Sequence, residues 1–259
     1  MSLARGVCLC ILRAQFKLSC WKDFFTNPLI LKGWESLNGW KLGSYSRFML
    51  KPPKIQETLY LWLSHQTKPL GGLGAVDSTL ISLGKTYNKW DKTNYKALRR
   101  EKCDLGVGSL GESFGVKLHL VSNSEGEIHA FEVTSASTHD LTPIKQGLLS
   151  KALGIVLADR GYISQKEQRK FQKESLSLWA KPRQNQENQF CPIQARLYKF
   201  REVAESIFAK LKQSYGWVPK WPPRRLSTGL AYILGSLAAY VLDPNKPKMN
   251  WNFSHFSEK

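Results

Sequence analysis

Acidic side chains are scarce in this chain. Its 259 residues carry 20 Asp and Glu against 38 Lys and Arg, a formal charge of +18. Cysteine is also sparse: Cys8, Cys10, Cys20, Cys103 and Cys191 are odd in number, form no C-x-x-C pair and have no histidine at zinc-finger spacing. That excludes a disulfide framework or a structural zinc site and fits reduced thiols in an intracellular protein. Long apolar runs are missing too. The longest uncharged stretch, Leu226 to Leu242, falls short of the roughly 20 residues a membrane-spanning helix needs and is expected to be a buried helix. Val7 to Leu12 is too short for the apolar core of a secretory signal, so the expected compartment is the cytoplasm, with no membrane partner. A charge excess of this size favours a polyanion as partner and says nothing of fold.

What is present can build a core: 42% of residues are hydrophobic and 12% aromatic, which excludes global disorder. Residues 1–43 show no clear period and no motif. After Pro52-Pro53, Ile55, Leu59, Trp62 and Leu63 recur at helical spacing. Leu73 to Ile81 reads as a strand, and Lys85 to Lys102, dense in Lys and Arg without an apolar stripe, as a solvated basic loop. Phe114 to Leu120, whose apolar residues alternate with Gly115, Lys117 and His119, turns at Asn123 to Gly126 and returns along Ile128 to Thr134, predicting an antiparallel hairpin with one buried face; His119 and His129 face each other on the hairpin as structural residues. Leu141 to Leu153 reads as a helix entered at His139-Asp140, Gly154 to Ala158 as a buried strand, and Ser164 with Glu167 as a capping box that opens a helix. Leu176 to Ala180 is the next strand and Ile193 to Tyr215 a long helix. Strand and helix signals that alternate in this way predict an α/β domain.

Three acidic residues stand out by position. Asp77 lies inside the first strand, where a carboxylate is costly without a cation or metal. Asp159 closes a buried strand just before a helix, at the edge where ligands collect in open α/β sheets. Glu205 lies on the long helix. At about 100° per residue, with Arg201 at zero, Lys212 falls near 20°, Glu205 near 40° and Tyr198 near 60°, on one narrow face. Phe200, Val203, Ala204, Ile207, Phe208 and Leu211 form the core stripe, and Glu205 stands near its edge. Taken alone, this is equally an ordinary amphipathic helix with Arg201 and Glu205 as an i,i+4 pair.

The run Tyr198-x2-Arg201-x3-Glu205-x6-Lys212 resembles the tyrosine, arginine, glutamate and lysine signature of DDE-type transposases of bacterial insertion sequences, at its full spacing. Val76 to Thr79 (VDST), Phe114 to Asp140, Ala158 to Ser164 (ADRGYIS) and Val203 to Lys212 resemble the corresponding blocks in order. Ser44 to Phe48 (SYSRF) and Ala239 to Pro247 (AYVLDPNKP) make the closest group insertion-sequence family 982, and the resemblance spans about Ser44 to Pro247.

The resemblance implies a ribonuclease-H-like (retroviral-integrase-like) α/β fold, a mixed sheet flanked by helices, with a short helical N-terminal region. It implies a catalytic, metal-holding triad of Asp77, Asp159 and Glu205. In-line attack on a phosphodiester needs hard oxygen ligands holding two Mg²⁺ ions about 3.5–4 Å apart, with Mn²⁺ as a substitute. Water would free a 3′-hydroxyl at the element end, which would then attack target DNA. The expected DNA contacts are Tyr198, Arg201, Lys212, Arg160, Lys117, Arg99 and Arg100, on double-stranded DNA gripped by a homodimer at the bacterial nucleoid. Trp217, Trp221, Arg224 and Arg225 read either as a stacking patch or as core and turn. The expected division is 1–70 as an N-terminal helical, basic region, a truncated DNA-binding part; 71–247 as the catalytic domain; and 248–259 as a tail. A generic nuclease of this fold, and an inactive remnant that only binds DNA, are the competing functions.

Overall fold

The computed structural model describes residues 2–18, 20–38, 45–49, 51–83, 103–108, 111–173, 175–182, 190–217, 223 and 225–248. The chain begins with helices α1 (Leu3–Gln15), α2 (Trp21–Thr26), α3 (Pro28–Asn38), α4 (Tyr45–Phe48) and α5 (Pro52–His65). The paired prolines occupy the first turn of α5, where a missing N–H costs nothing, and Ile55, Leu59 and Leu63 form its buried stripe. Strands β1 (Gly72–Ser82), β2 (Asp104–Gly108), β3 (Gly111–Asn123), β4 (Ile128–Ser135), β5 (Gly154–Ala158) and β6 (Leu176–Ala180) form one mixed sheet. β1 lies at its heart, antiparallel to β3 and parallel to β5, while β6 follows β5 in parallel and β2 and β4 share the far side of β3. Between and after these run α6 (Leu141–Lys145), α7 (Gln165–Lys173), α8 (Pro192–Tyr198), α9 (Glu202–Ser214) and α10 (Leu226–Val241).

The pleat assigns the two faces. Leu73 and Ala75 of β1, Leu118 and Leu120 of β3 and Leu157 of β5 join the core formed with α1, α5, α9 and α10. Val76, Val121, Val156 and Ala158 point to the opposite face, into a second cluster with Ile144, Tyr162 and Phe171. The hairpin is therefore covered on both sides, not on one as its alternation suggested, because helices pack on each face of the sheet.

Three expectations change. The helix expected over Leu141 to Leu153 ends at Lys145; the chain turns through Gly147, whose φ of +104° is outside the helical region. The expected long helix over Ile193 to Tyr215 is broken into α8, a 3₁₀ turn at Lys199–Arg201 and α9, so the 100° wheel does not run unbroken from Tyr198 to Lys212. His119 and His129 do not face each other: His119 pairs with Glu132, and a bulge near Val121 and Ser122 offsets His129. Both are buried and bonded locally, His119 Nε2 to Thr134 Oγ1 (2.9 Å) and His129 Nδ1 to the Lys68 carbonyl (2.9 Å), which fits structural roles.

The motifless first segment contributes core. Leu9, Cys10, Ala14, Trp21, Phe24, Phe25 and Trp34 are buried. α1 crosses α10 at close range: a Cβ on Gly235 would lie 2.9 Å from the Cys10 carbonyl oxygen. Arg13 lies fully buried in this contact. Its Nη1 donates to the carbonyls of Leu18 (2.5 Å) and Gly216 (2.9 Å), and its Nη2 to the Tyr232 carbonyl and Ser236 Oγ (both 3.2 Å). The guanidinium carbon also sits 4.3 Å from the Tyr232 ring centre and 5.5 Å from that of Trp21. Burial lowers its pKa to about 10, so it remains charged at neutral pH.

After α10 the chain folds back as a clasp. Asp243 accepts from Lys210 Nζ (2.6 Å) and from the Tyr215 hydroxyl, and the Tyr240 hydroxyl donates to the carbonyl of Gly126 in the hairpin turn. Among the described residues, no helix is long and apolar enough to cross a membrane.

Candidate active site

Asp77 sits on β1 in register with Leu120, so its side chain leaves the sheet on the α9 side. Its Oδ1 accepts the Ser78 amide (2.8 Å) and its Oδ2 accepts Arg201 Nη1 (3.3 Å). Arg201, on the 3₁₀ turn just before α9, also donates Nη2 to Glu205 Oε1. One guanidinium thus bridges two carboxylates that the sequence separates widely. Asp77 and Arg201 are 18% and 17% exposed, whereas Glu205 is 54% exposed, so the bridge runs from the protein interior to solvent.

Asp159 follows the last residue of β5 and is exposed. The Tyr198 hydroxyl donates to the carbonyl of Ala158 (3.0 Å), which ties α8 to the strand end that carries Asp159. Burial raises the Asp77 pKa to about 6, opposed by the Ser78 amide and Arg201 and reinforced by the Glu205 and Asp159 charges. The three carboxylates therefore share one electrostatic neighbourhood at one end of the sheet. Arg201 is the cation that contacts two of them, Asp77 and Glu205.

The expected DNA contacts are distributed unevenly. Lys212 and Arg160 are exposed, and the Lys212 ammonium lies 5.9 Å from the Trp217 ring centre. Tyr198 and Arg201 turn inward, to Ala158 and to the carboxylates. Lys117 is internal at 13% exposure, donating to Asp140 Oδ1 (3.1 Å) and the Thr138 carbonyl (2.8 Å). Arg99, Arg100 and the basic loop up to Lys102 lie outside the described residues, as do Trp221 and Arg224. Trp217 is 1% exposed and packs beside Phe208 at 6.3 Å, so of the two readings of its segment it takes the core one.

A cluster not anticipated from the sequence lies beneath the first strand: Ser78 Oγ donates to Asp140 Oδ1 (2.7 Å), the oxygen that Lys117 also reaches. Strand alternation was the available signal, since it places Ser78 on the face opposite Asp77.

As a donor set, Asp77, Asp159 and Glu205 offer only carboxylate oxygens, with no sulfur or imidazole, which suits a hard divalent cation such as Mg²⁺. Among the described residues, no three His, Cys, Asp or Glu side chains are already gathered into metal-binding geometry; Arg201 stands between two of the candidates.

A mixed sheet centred on an aspartate-bearing strand, flanked by helices and carrying carboxylates at one end, is the ribonuclease-H-like architecture. The chain is similar in structure to the piggyBac transposase, solved by cryo-EM as a synaptic complex with hairpin DNA: the TM-score is 0.55 at 10% identity, over 99% of this chain and 67% of that one. Residues 68–216 match the family model described as the transposase DDE domain, and the chain belongs to that family. It is a DDE transposase by class, a polynucleotidyl transferase. No curated protein matches it in sequence.

Proposed function

We propose that this chain is the transposase of an insertion sequence, closest to family 982, which cleaves DNA strands at the element ends and joins the freed 3′-hydroxyl to target DNA. The observation that carries this is the Arg201 bridge: it brings the signature helix onto Asp77 of the central strand and pairs it with Glu205. Asp77, Asp159 and Glu205 are the residues that hold divalent metal, two Mg²⁺ ions or Mn²⁺ in their place. Bound there, the metal supplies Lewis-acid activation of the attacking oxygen and charge neutralisation at the leaving one. The chain's own residues do the rest. Arg201 holds the Asp77 and Glu205 carboxylates apart and oriented, and its planar fork can pass from carboxylate to phosphate. Tyr198 fixes the end of β5 and with it Asp159. Lys212 and Arg160, exposed around the site, contact the DNA backbone, with Arg99 and Arg100 in the same role. The surplus of cations gives a salt-sensitive grip on double-stranded DNA, held by a homodimer at the nucleoid in the cytoplasm.

The test is a plasmid carrying the DNA that flanks the gene, incubated with the purified chain and Mg²⁺. Nicks at the boundaries of inverted repeats, followed by joining to a target, are expected, and Asp159→Asn abolishes both. Cleavage that persists in Asp159→Asn refutes the carboxylate assignment, and salt-sensitive binding without nicking leaves only a DNA-binding remnant.

A further inference from the structure

We propose that Asp140 is a positioning residue that holds the Asp77 and Asp159 segments together from the reverse face of the sheet. It stands where a helix cap is expected, yet it makes no side-chain capping bond to α6; the Leu141 amide goes to His139 Nδ1 instead (3.2 Å). Its carboxylate is engaged elsewhere. Oδ1 accepts Ser78 Oγ at 2.7 Å, and Ser78 is the residue after Asp77. The same oxygen accepts Lys117 Nζ at 3.1 Å, and that lysine also donates to the Thr138 carbonyl, anchoring the loop that carries Asp140. Oδ2 lies against Gly161, where a Cβ would come within 3.1 Å of it, and Gly161 is two residues after Asp159. The buried Tyr162 hydroxyl, on the same turn, lies near Ser78 and Asp140 but closes no well-formed hydrogen bond.

Alternation gives this node its meaning. Asp77 pairs with Leu120 on the α9 face, while Ser78 pairs with His119 on the other. Asp140 therefore acts on the proposed metal-holding carboxylates through backbone. It sets the height and twist of β1 at residue 77 and the exit angle of the chain at residue 159, without entering the site. Lys117, expected on DNA, serves here as the cation that holds the Asp140 carboxylate in place.

The proposal rests on the carboxylate assignment above, and metal affinity separates the two. Mn²⁺ binding to the full chain is measured by loss of the free-ion EPR signal, with thermal unfolding alongside. The parent binds and Asp77→Asn does not; Asp140→Ala binds about 10–100-fold more weakly, the range found when groups that orient metal ligands are removed. Asp140→Asn, which keeps an acceptor oxygen for Ser78 and Lys117, recovers most of that loss. A plain packing role would shift the melting temperature and leave the affinity alone. Parent-like affinity in Asp140→Ala, with Asp77→Asn inactive in binding, overturns the proposal and spares the functional reading; a parent that binds no Mn²⁺ overturns both. If Asp140→Ala does not fold, Ser78→Ala cuts one arm without stranding Lys117: severalfold weaker binding supports the role, and unchanged binding refutes it.

Discussion

Replacing Arg13 with methionine removes a buried cation while keeping most of the apolar volume. Four neutral acceptors, the carbonyls of Leu18, Gly216 and Tyr232 and the hydroxyl of Ser236, then lose the guanidinium, although the Tyr232 carbonyl keeps the Ser236 hydroxyl as a donor. Hydrogen bonds from a charged group are worth about 1.5–3 kcal/mol each, so the gross loss is roughly 6–12 kcal/mol if they were independent. Two effects reduce it. The lowering of the Arg13 pKa from 12.5 to about 10 marks a desolvation cost of about 3 kcal/mol that the methionine chain does not carry. Bonds sharing one guanidinium are also not additive. A net loss of about 3–5 kcal/mol remains, in line with other cases where one partner of a buried charged contact is deleted. Urea unfolding followed by tryptophan emission measures it, since Trp21 lies against the guanidinium. Arg13→Lys should fall between parent and methionine variant, because an ammonium keeps the charge but cannot span four acceptors. A methionine variant within about 1 kcal/mol of the parent would refute the claim that this cation joins the N-terminal helix to α10.

His119 predicts a pH effect. Its Nε2–H donates to Thr134 Oγ1, whose own proton goes to the Ser135 carbonyl, so a second proton must enter at Nδ1, which is buried without an acceptor. Burial lowers its pKa from 6.5 to about 4, with Asp140 raising it and Lys117 lowering it, and Glu132 is its cross-strand partner. The unfolded chain binds the extra proton first, so stability falls as pH drops from 6.5 towards 4, by about 3 kcal/mol, and His119→Gln removes that part of the slope in urea unfolding at stepped pH. Gly235→Ala should destabilise by about 1–2 kcal/mol despite a better helix propensity, because its Cβ meets Cys10 backbone at 2.9 Å. Gly33→Ala, in the interior of α3 with nothing within 4 Å, should instead stabilise by about 0.5–1 kcal/mol; equal shifts in the two melting temperatures would refute the close crossing.

The sheet was largely legible because strands announce themselves locally: apolar alternation in β3 and β4 and the apolar run of β5 each occur within a dozen residues. Asp77 drew notice as a carboxylate inside an apolar strand, Asp159 as one closing a buried strand and Glu205 as one at the edge of a helix's core stripe, whereas their grouping came from the resemblance. Arg201 was placed on the same face as Glu205 by a helical wheel even though the helix is interrupted, since the 3₁₀ turn ends at Arg201 and leaves the step to Glu205 helical. What escaped depends on distance along the chain. Three of the four Arg13 hydrogen bonds join residues more than two hundred positions apart, and no periodicity encodes them. Asp140 carried a plausible local role as a helix entry, and only the fold shows that its carboxylate turns to Ser78 instead. The glycine at 147 ended a helix whose apolar spacing continued past it.

The crossing of α1 and α10 sets a timetable for synthesis. Arg13 and its acceptor Tyr232 are 219 residues apart, and at about 5–20 residues per second a ribosome needs roughly 10–45 s to deliver the second after the first. During that interval the sheet and the Arg201 bridge can form, but Leu9, Cys10 and Ala14 have no α10 to cover them. Helix α1 therefore waits, apolar face open, until the residues of α10 emerge. A premature stop before Leu226 would release a molecule in which α1 lacks the helix that covers it, a natural target for chaperones and proteases.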